Sequence, residues 1–300
     1  MSSRLLRLIP GQHFATHSQL ILFSPSSSSS KYVTTFSSSS SSSVVQEDPH
    51  GQESAHEEED EDENNTPDSQ MRCAHMDNES LDLMHTLMAY RHEPIHSELM
   101  KIRDKYSMLH LDVLILIYHF AKRCSGAILE IGAFVGGATI AAALGVRDSG
   151  QSKKLIAIEP GGSVKHKRLG TRNILRDLER NLARERVANT VTLVKGQSFK
   201  PETMSAVRQA LGSDQLGLLI LDADAAKRRD IDCYREKFAD GAWMVIDDIY
   251  GADANEKITP SRADVDALVA EELLEPLGFY GWSTWVGRWR GGAASSVAET

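Results

Sequence analysis

The sequence predicts an α/β protein: a doubly wound, mostly parallel sheet of seven strands with a helical N-terminal cap. Three observations carry that expectation. Short apolar runs alternate with longer amphipathic stretches from residue 127 to residue 246. The first apolar run breaks into a glycine-rich turn that leads straight into a helical stretch. Near the end, Gly278 to Trp289 is aromatic and β-branched around Gly281, the composition of a terminal hairpin.

Taken in order, helical spacing from Asn78 puts Leu81, Met84, Leu87 and Met88 on one face. A second helix runs from Ser97 through Tyr106, and a third, apolar on most sides, from Leu109 to Cys124. Its apolar stretch, Leu111 to Phe120, is about half the ~20 residues a membrane span requires and contains Asp112, so a buried helix is expected and no transmembrane helix. Ala127–Ile131, Lys154–Ile158, Thr190–Val194, Leu216–Leu221 and Trp243–Ile246 read as strands buried on both faces. Ala138–Leu144, Lys167–Arg186, Pro201–Leu211 and Asp230–Phe238 read as the helices between them. That is a βαβ series closing a parallel sheet, and a further helix, Arg262 to Glu275, leads into the hairpin.

The chain ahead of this domain has a different character. Residues 1–46 contain no Asp or Glu, set Arg4 and Arg7 beside Leu5, Leu6, Leu8 and Ile9, and carry serine runs at 26–30 and 37–43. This composition predicts an organelle transit peptide, mitochondrial ahead of plastid; a low-complexity tail on a cytoplasmic protein is the other reading. Residues 47–70 form an acidic linker around Glu57–Glu63, self-repelling and nearly without apolar residues, so disorder is expected to about residue 70 and a single domain over 71–300.

The net charge of -9 is concentrated in that leader: residues 1–70 hold three basic and eleven acidic residues, whereas the rest hold 30 and 31. The domain lacks the basic excess of a phosphate-binding surface, so no nucleic-acid partner is expected. Three cysteines without a C-x-x-C pair exclude a disulfide framework and a four-ligand zinc site. The sequence leaves the oligomeric state open, a homodimer included.

The chemistry gathers at the strand tips. The first strand ends in Glu130-Ile-Gly132-Ala-Phe134-Val-Gly136-Gly137, a G-x-x-x-G-G turn preceded by an acid, where a dinucleotide-binding turn has G-x-G-x-x-G. An acid there suits a positively charged, phosphate-free ligand. Glu159 ends the second strand, where a carboxylate can accept both hydroxyls of a ribose. Gln197 and Ser198 follow the third, polar groups at the place an adenine edge would need them. Asp222 and Asp224 follow the fourth strand and Asp247-Asp248 the fifth, so up to four carboxylates converge on one side of the cleft. Like charges this close need a cation or a proton. Oxygen ligands suit Mg²⁺, Mn²⁺ or Ca²⁺; helix capping is the alternative role for these acids.

In this order the motifs Glu130-x-Gly132…Gly136-Gly137, Leu155-Ile-Ala-Ile-Glu159, Val194-Lys-Gly196-Gln197-Ser198, Leu221-Asp222 and Asp247-Asp248 resemble the class I S-adenosylmethionine-dependent methyltransferases. The likeness spans roughly residues 97–290 and is greatest to the small metal-dependent O-methyltransferases typified by catechol and caffeoyl-CoA O-methyltransferase. The resemblance implies S-adenosylmethionine as cofactor. Glu130, Gly132 and Phe134 would lie at its methionine end beside the Gly136-Gly137 turn, Glu159 at the ribose, and Gln197 and Ser198 at the adenine, with Asp222 bordering the cofactor. It also implies a divalent metal on Asp222, Asp247 and Asp248 that holds two adjacent oxygens of a small-molecule acceptor. Two departures stand out. The lysine base usual three residues after the first metal-binding aspartate is replaced by Ala225, leaving Lys227 as the nearest catalytic candidate, and the last ligand, usually asparagine, is Asp248. Ala225 keeps a non-catalytic module of the same fold in play. A nicotinamide-dependent oxidoreductase is the more distant alternative, opposed by the glycine spacing and by the lack of a second substrate domain.

Overall fold

The computed structural model describes residues 78–251 and 256–291, all within one structural unit, Thr66–Thr300. The expectations for the transit peptide and the acidic linker fall outside the described residues.

Seven strands form one sheet: β1 (Ala127–Ile131), β2 (Leu155–Glu159), β3 (Val191–Lys195), β4 (Leu216–Leu221), β5 (Phe238–Ile246), β6 (Leu274–Tyr280) and β7 (Thr284–Trp289). Their spatial order is β3-β2-β1-β4-β5-β7-β6. The first five are parallel, and β7 joins β5 and β6 antiparallel. β1, β2 and β4 are buried along their whole length, as strands covered on both faces must be. β3 departs from expectation: as the sheet's edge it exposes Thr192 and Lys195 and buries only Val194.

Helices α1 (Asn78–Tyr90), α2 (Pro94–Tyr106), α3 (Leu111–Arg123), α4 (Gly137–Ser149) and α5 (Ile174–Arg184) contribute to the core on one face. On the other lie α6 (Pro201–Leu211), α7 (Lys227–Asp232) and α8 (Ile258–Ala270). Among the described residues, no helix is long and apolar enough to cross a membrane. The buried helix expected around 111–120 is α3, where eight residues are buried.

The helix boundaries needed correction. α1 is rotated from its expected face: Leu83 is buried, whereas Met84 and Met88 are 55% and 62% exposed. Polar ties at both ends fix that rotation. Ser80 Oγ donates to the Leu277 carbonyl at 2.9 Å, Glu79 pairs with Arg288, and the Tyr90 hydroxyl meets His119 Nδ1 at 3.2 Å. The helix expected over 167–186 starts only at Ile174. Val164 and Thr171 pair across a local bridge, and Asn173 supplies the N-cap by accepting from the Arg176 amide. The helix expected over 230–238 ends at Asp232, because β5 begins at Phe238. The last helix starts four residues and ends five residues earlier than expected, over Ile258–Ala270, since β6 takes Leu274 onward.

The strand order reverses at β1, which pairs with β2 on one side and β4 on the other. Open α/β sheets bind ligands at such a switch point, outside the carboxyl ends of the strands.

Candidate active site

The ladder continues past the strand ends and aligns the tips. The Asp222 amide donates to the Ile131 carbonyl, and the Asp247 amide to the Leu221 carbonyl, both at 3.0 Å. Gly132, Asp222 and Asp247 therefore stand side by side across β1, β4 and β5. Only glycine fits the first place: its φ is +94°, and a Cβ would overlap the Asp222 carbonyl.

A cavity of about 340 Å³ opens over these tips. It runs from the turn between α2 and α3 (Ser107, Met108), past Glu130 and the Gly132–Phe134 loop, to Glu159, then to Gln197 and Ser198, and ends at Asp222. Gly137 also lines it, and Gly136 (φ +101°) makes the left-handed N-cap that starts α4. The structure thus brings eight of the nine residues expected at the cofactor onto one cavity wall, while Gly136 shapes the turn behind it.

Glu130 is buried on that wall, and among the described residues its Oε2 has no hydrogen-bond partner, nor has Oγ1 of Thr139 nearby. Burial pushes its carboxyl up to about 8, with the Thr139 hydroxyl pulling the other way and the Glu159 charge adding to the rise. Glu159 is held differently. Its two oxygens accept from the backbone amides of Phe134 (2.7 Å) and Gly161 (2.8 Å). Burial raises its pKa and those amides restrain the rise. The first bond also secures Phe134 in a left-handed conformation (φ +49°) that costs a non-glycine residue energy. Each Glu159 oxygen keeps a further lone-pair site for a ligand hydroxyl. Ser198 is buried and already donates to Asp230 Oδ1 at 2.7 Å, whereas Gln197 is exposed at the rim.

Beyond Asp222 lies a carboxylate cluster. Oxygens of Asp222, Asp247 and Asp248 all fall within 4.8 Å of one another. Asp224, the fourth acid expected there, is not among them. It caps the Ala226 amide (2.9 Å) and pairs with Arg229 (3.0 Å). Asp248 adopts a left-handed backbone (φ +62°), which aspartate tolerates better than most residues. Both hydroxyls of Ser283 and Thr284 donate to Asp247 Oδ1, at 2.7 and 2.6 Å. Burial, with the neighbouring Asp247 charge, raises the Asp222 pKa well above the usual carboxylate range.

Lys227, the nearest catalytic candidate in the sequence, stands at the first position of α7. It is fully buried, and its Nζ makes no hydrogen bond among the described residues. Burial lowers its pKa against the pull of the Asp222, Asp248 and Asp247 charges. It does not line the cavity. Lys257 Nζ reaches Asp248 at 3.4 Å and the Ala223 carbonyl at 3.0 Å.

The sequence reading missed Thr139, Ser283 and Thr284. The last is placed by the β5–β7 register, where Trp285 pairs with Ile246 and Thr284 falls opposite Asp247, a pairing the sequence alone does not show.

A doubly wound sheet with a cavity at its switch point defines a cofactor-binding α/β enzyme fold. Residues 129–249 match the family model described as a methyltransferase domain. No curated protein matches the chain. A solved Corynebacterium glutamicum protein has the same fold, with a TM-score of 0.50 at 12% identity over 70% of this chain and 97% of its own. The O-methyltransferase TomG from Streptomyces achromogenes, solved with S-adenosylmethionine, gives 0.49 at 16% identity over 71% and 96%. A Staphylococcus aureus protein assigned as a caffeoyl-CoA O-methyltransferase gives 0.49 at 14% identity over 70% and 100%. Residues 129–249 are thus similar to a methyltransferase domain, set on a sheet of order β3-β2-β1-β4-β5-β7-β6.

Proposed function

We propose that this enzyme transfers the methyl group of S-adenosylmethionine to a hydroxyl oxygen of a small molecule, assisted by a divalent cation on Asp222, Asp247 and Asp248. The observation that carries this reading is the place of Asp222, which both closes the cofactor cavity and belongs to the carboxylate cluster. Cofactor and acceptor sites would then meet at one residue.

The donor set fits the cation. Three carboxylates within 4.8 Å are hard oxygen ligands, and Lys227 buried beside them offsets only part of their charge. Such a cation would lower the pKa of an acceptor hydroxyl and fix its oxygen. The chain's own residues supply the rest. Glu130 and the Gly132–Phe134 loop receive the methionine end, Glu159 accepts from the ribose, and Gln197 and Ser198 face the adenine. A cofactor held by these residues would lie beside Asp222, where an acceptor oxygen could be brought to it before reaction. Lys227, fully buried and off the cavity, serves as a counter-charge to the three carboxylates and is not placed to take the acceptor's proton.

The test is transfer of labelled methyl from S-adenosylmethionine to a panel of small molecules with adjacent hydroxyls, in Mg²⁺ and in excess chelator. Transfer in Mg²⁺ that disappears in chelator is expected. Transfer that persists in chelator contradicts the metal, and transfer to nitrogen acceptors alone contradicts the oxygen chemistry. The organelle assignment is part of the proposal and is checked by the location of residues 1–70 fused to a fluorescent protein.

A further inference from the structure

We infer that Ser283 and Thr284 are positioning residues that make Asp247 a one-oxygen ligand: their two hydroxyls occupy Oδ1 and leave only Oδ2 for a cation. The inference rests on the proposed cation at the carboxylate cluster and adds how that site is built.

A carboxylate oxygen offers about two lone-pair sites. Both sites of Asp247 Oδ1 are taken, by Ser283 Oγ at 2.7 Å and Thr284 Oγ1 at 2.6 Å. These are short bonds to a charged acceptor, roughly twice as strong as neutral ones. Thr284 is buried at the first position of β7, held in register by the pairing of Trp285 with Ile246. Ser283 is fixed independently, because its carbonyl accepts from the Ile249 amide at 2.9 Å. The donors thus come from a braced turn between β6 and β7 and cannot follow Asp247 if it rotates. A bidentate grip on the cation would require breaking both bonds. Only Oδ2 would then remain for a cation shared with Asp222 and Asp248, which would leave coordination positions open for an acceptor's oxygens. Groups that hold a ligand in this way commonly change metal affinity 10–100-fold (an order-of-magnitude range) when removed.

The experiment is calorimetric titration of the full chain with Mn²⁺, comparing the unaltered protein with Ser283→Ala, Thr284→Val, the double variant and Thr284→Ser, with thermal melting of each in chelator. The double variant should bind Mn²⁺ about 10–100-fold more weakly. Each single variant should lose less, and Thr284→Ser should bind like the unaltered chain, because the hydroxyl and not the methyl is what matters. Should the double variant fail to fold, Ser283→Ala on the half-exposed turn carries the test by itself, with a several-fold loss expected. Unchanged Mn²⁺ affinity in folded variants overturns the inference while leaving the cation site standing. Absence of Mn²⁺ binding by the unaltered protein overturns the cation site and the inference together.

Discussion

At the tips of β1 and β2 the acids stand apart: Glu159 accepts two amide N–H groups, and Glu130 is buried near Thr139 with its Oε2 unpartnered among the described residues. At the tips of β4 and β5 three acids crowd within 4.8 Å and side chains meet them: two hydroxyls on Asp247, Lys257 on Asp248, and Lys227 buried beside all three. The contrast teaches that a carboxyl alone can wait, neutral or anchored by amides, for a cationic organic ligand. A crowded set needs a proton, which the raised Asp222 pKa favours, or positive charge beside it, as Lys227 and Lys257 supply in part. Under the proposed function, this sheet edge would hold two sites of different chemistry, joined at Asp222.

The comparison breaks most visibly at Asp247. Asp247→Ala should reduce methyl transfer by more than about 100-fold, beyond the range for residues that merely support a ligand. Assay of labelled methyl transfer in saturating Mg²⁺ checks this, and retained activity would place Asp247 outside the chemistry.

Glu130 sharpens the other half through pH. Its pKa rises on folding from 4.5 to about 8, so ionisation opposes the folded state. This group costs nothing below about pH 4.5, its cost grows as pH climbs toward 8, and it levels off above, an effect on the order of a few kcal/mol. Glu130→Gln should flatten that part of the stability profile in urea titrations run across this range. A cationic cofactor would favour the ionised form, so binding near pH 7 should release protons, detectable as a buffer-dependent binding heat.

For Glu159→Ala the expected loss of S-adenosylhomocysteine affinity is about 1–3 kcal/mol, from losing hydrogen bonds to a charged acceptor. Since the same carboxylate secures Phe134, thermal stability should fall with it. A loss of stability alone would make Glu159 a brace for the loop and not a ribose ligand.

The smallest effect belongs to Arg168. It donates to the carbonyls of Arg103 (3.0 Å), Asp104 (3.1 Å) and Ser107 (2.7 Å), tying the loop after β2 to the turn between α2 and α3. Both segments line the cavity, through Val164 and Ser107. Arg168→Ala should speed S-adenosylhomocysteine release several-fold in stopped-flow displacement and lower stability by about 1–2 kcal/mol, chiefly through the part-buried bond to Ser107.

Most of this edge was legible in the sequence because apolar runs, glycines and terminal acids mark where buried strands stop. The order Glu130, Glu159, Asp222, Asp247 follows from that alone. The rotation of α1 was not legible, since Leu83 and Met84 are equally apolar and distant polar ties choose between them. Nor was the burial of Lys227: the sequence shows a lysine at a helix start, and only the folded chain shows carboxylates around it. Asp224 was misplaced for the same reason, since its partner Arg229 lies one helical turn further along.

Calorimetric titration with S-adenosylhomocysteine, on the unaltered chain and on Asp247→Ala, tests the division of the edge most directly. The account predicts that both bind it with near-equal affinity in excess chelator, because the cofactor half needs no metal, and that only the unaltered chain also takes up Mg²⁺. Failure of the unaltered chain to bind S-adenosylhomocysteine, or loss of that binding along with Asp247, would contradict it.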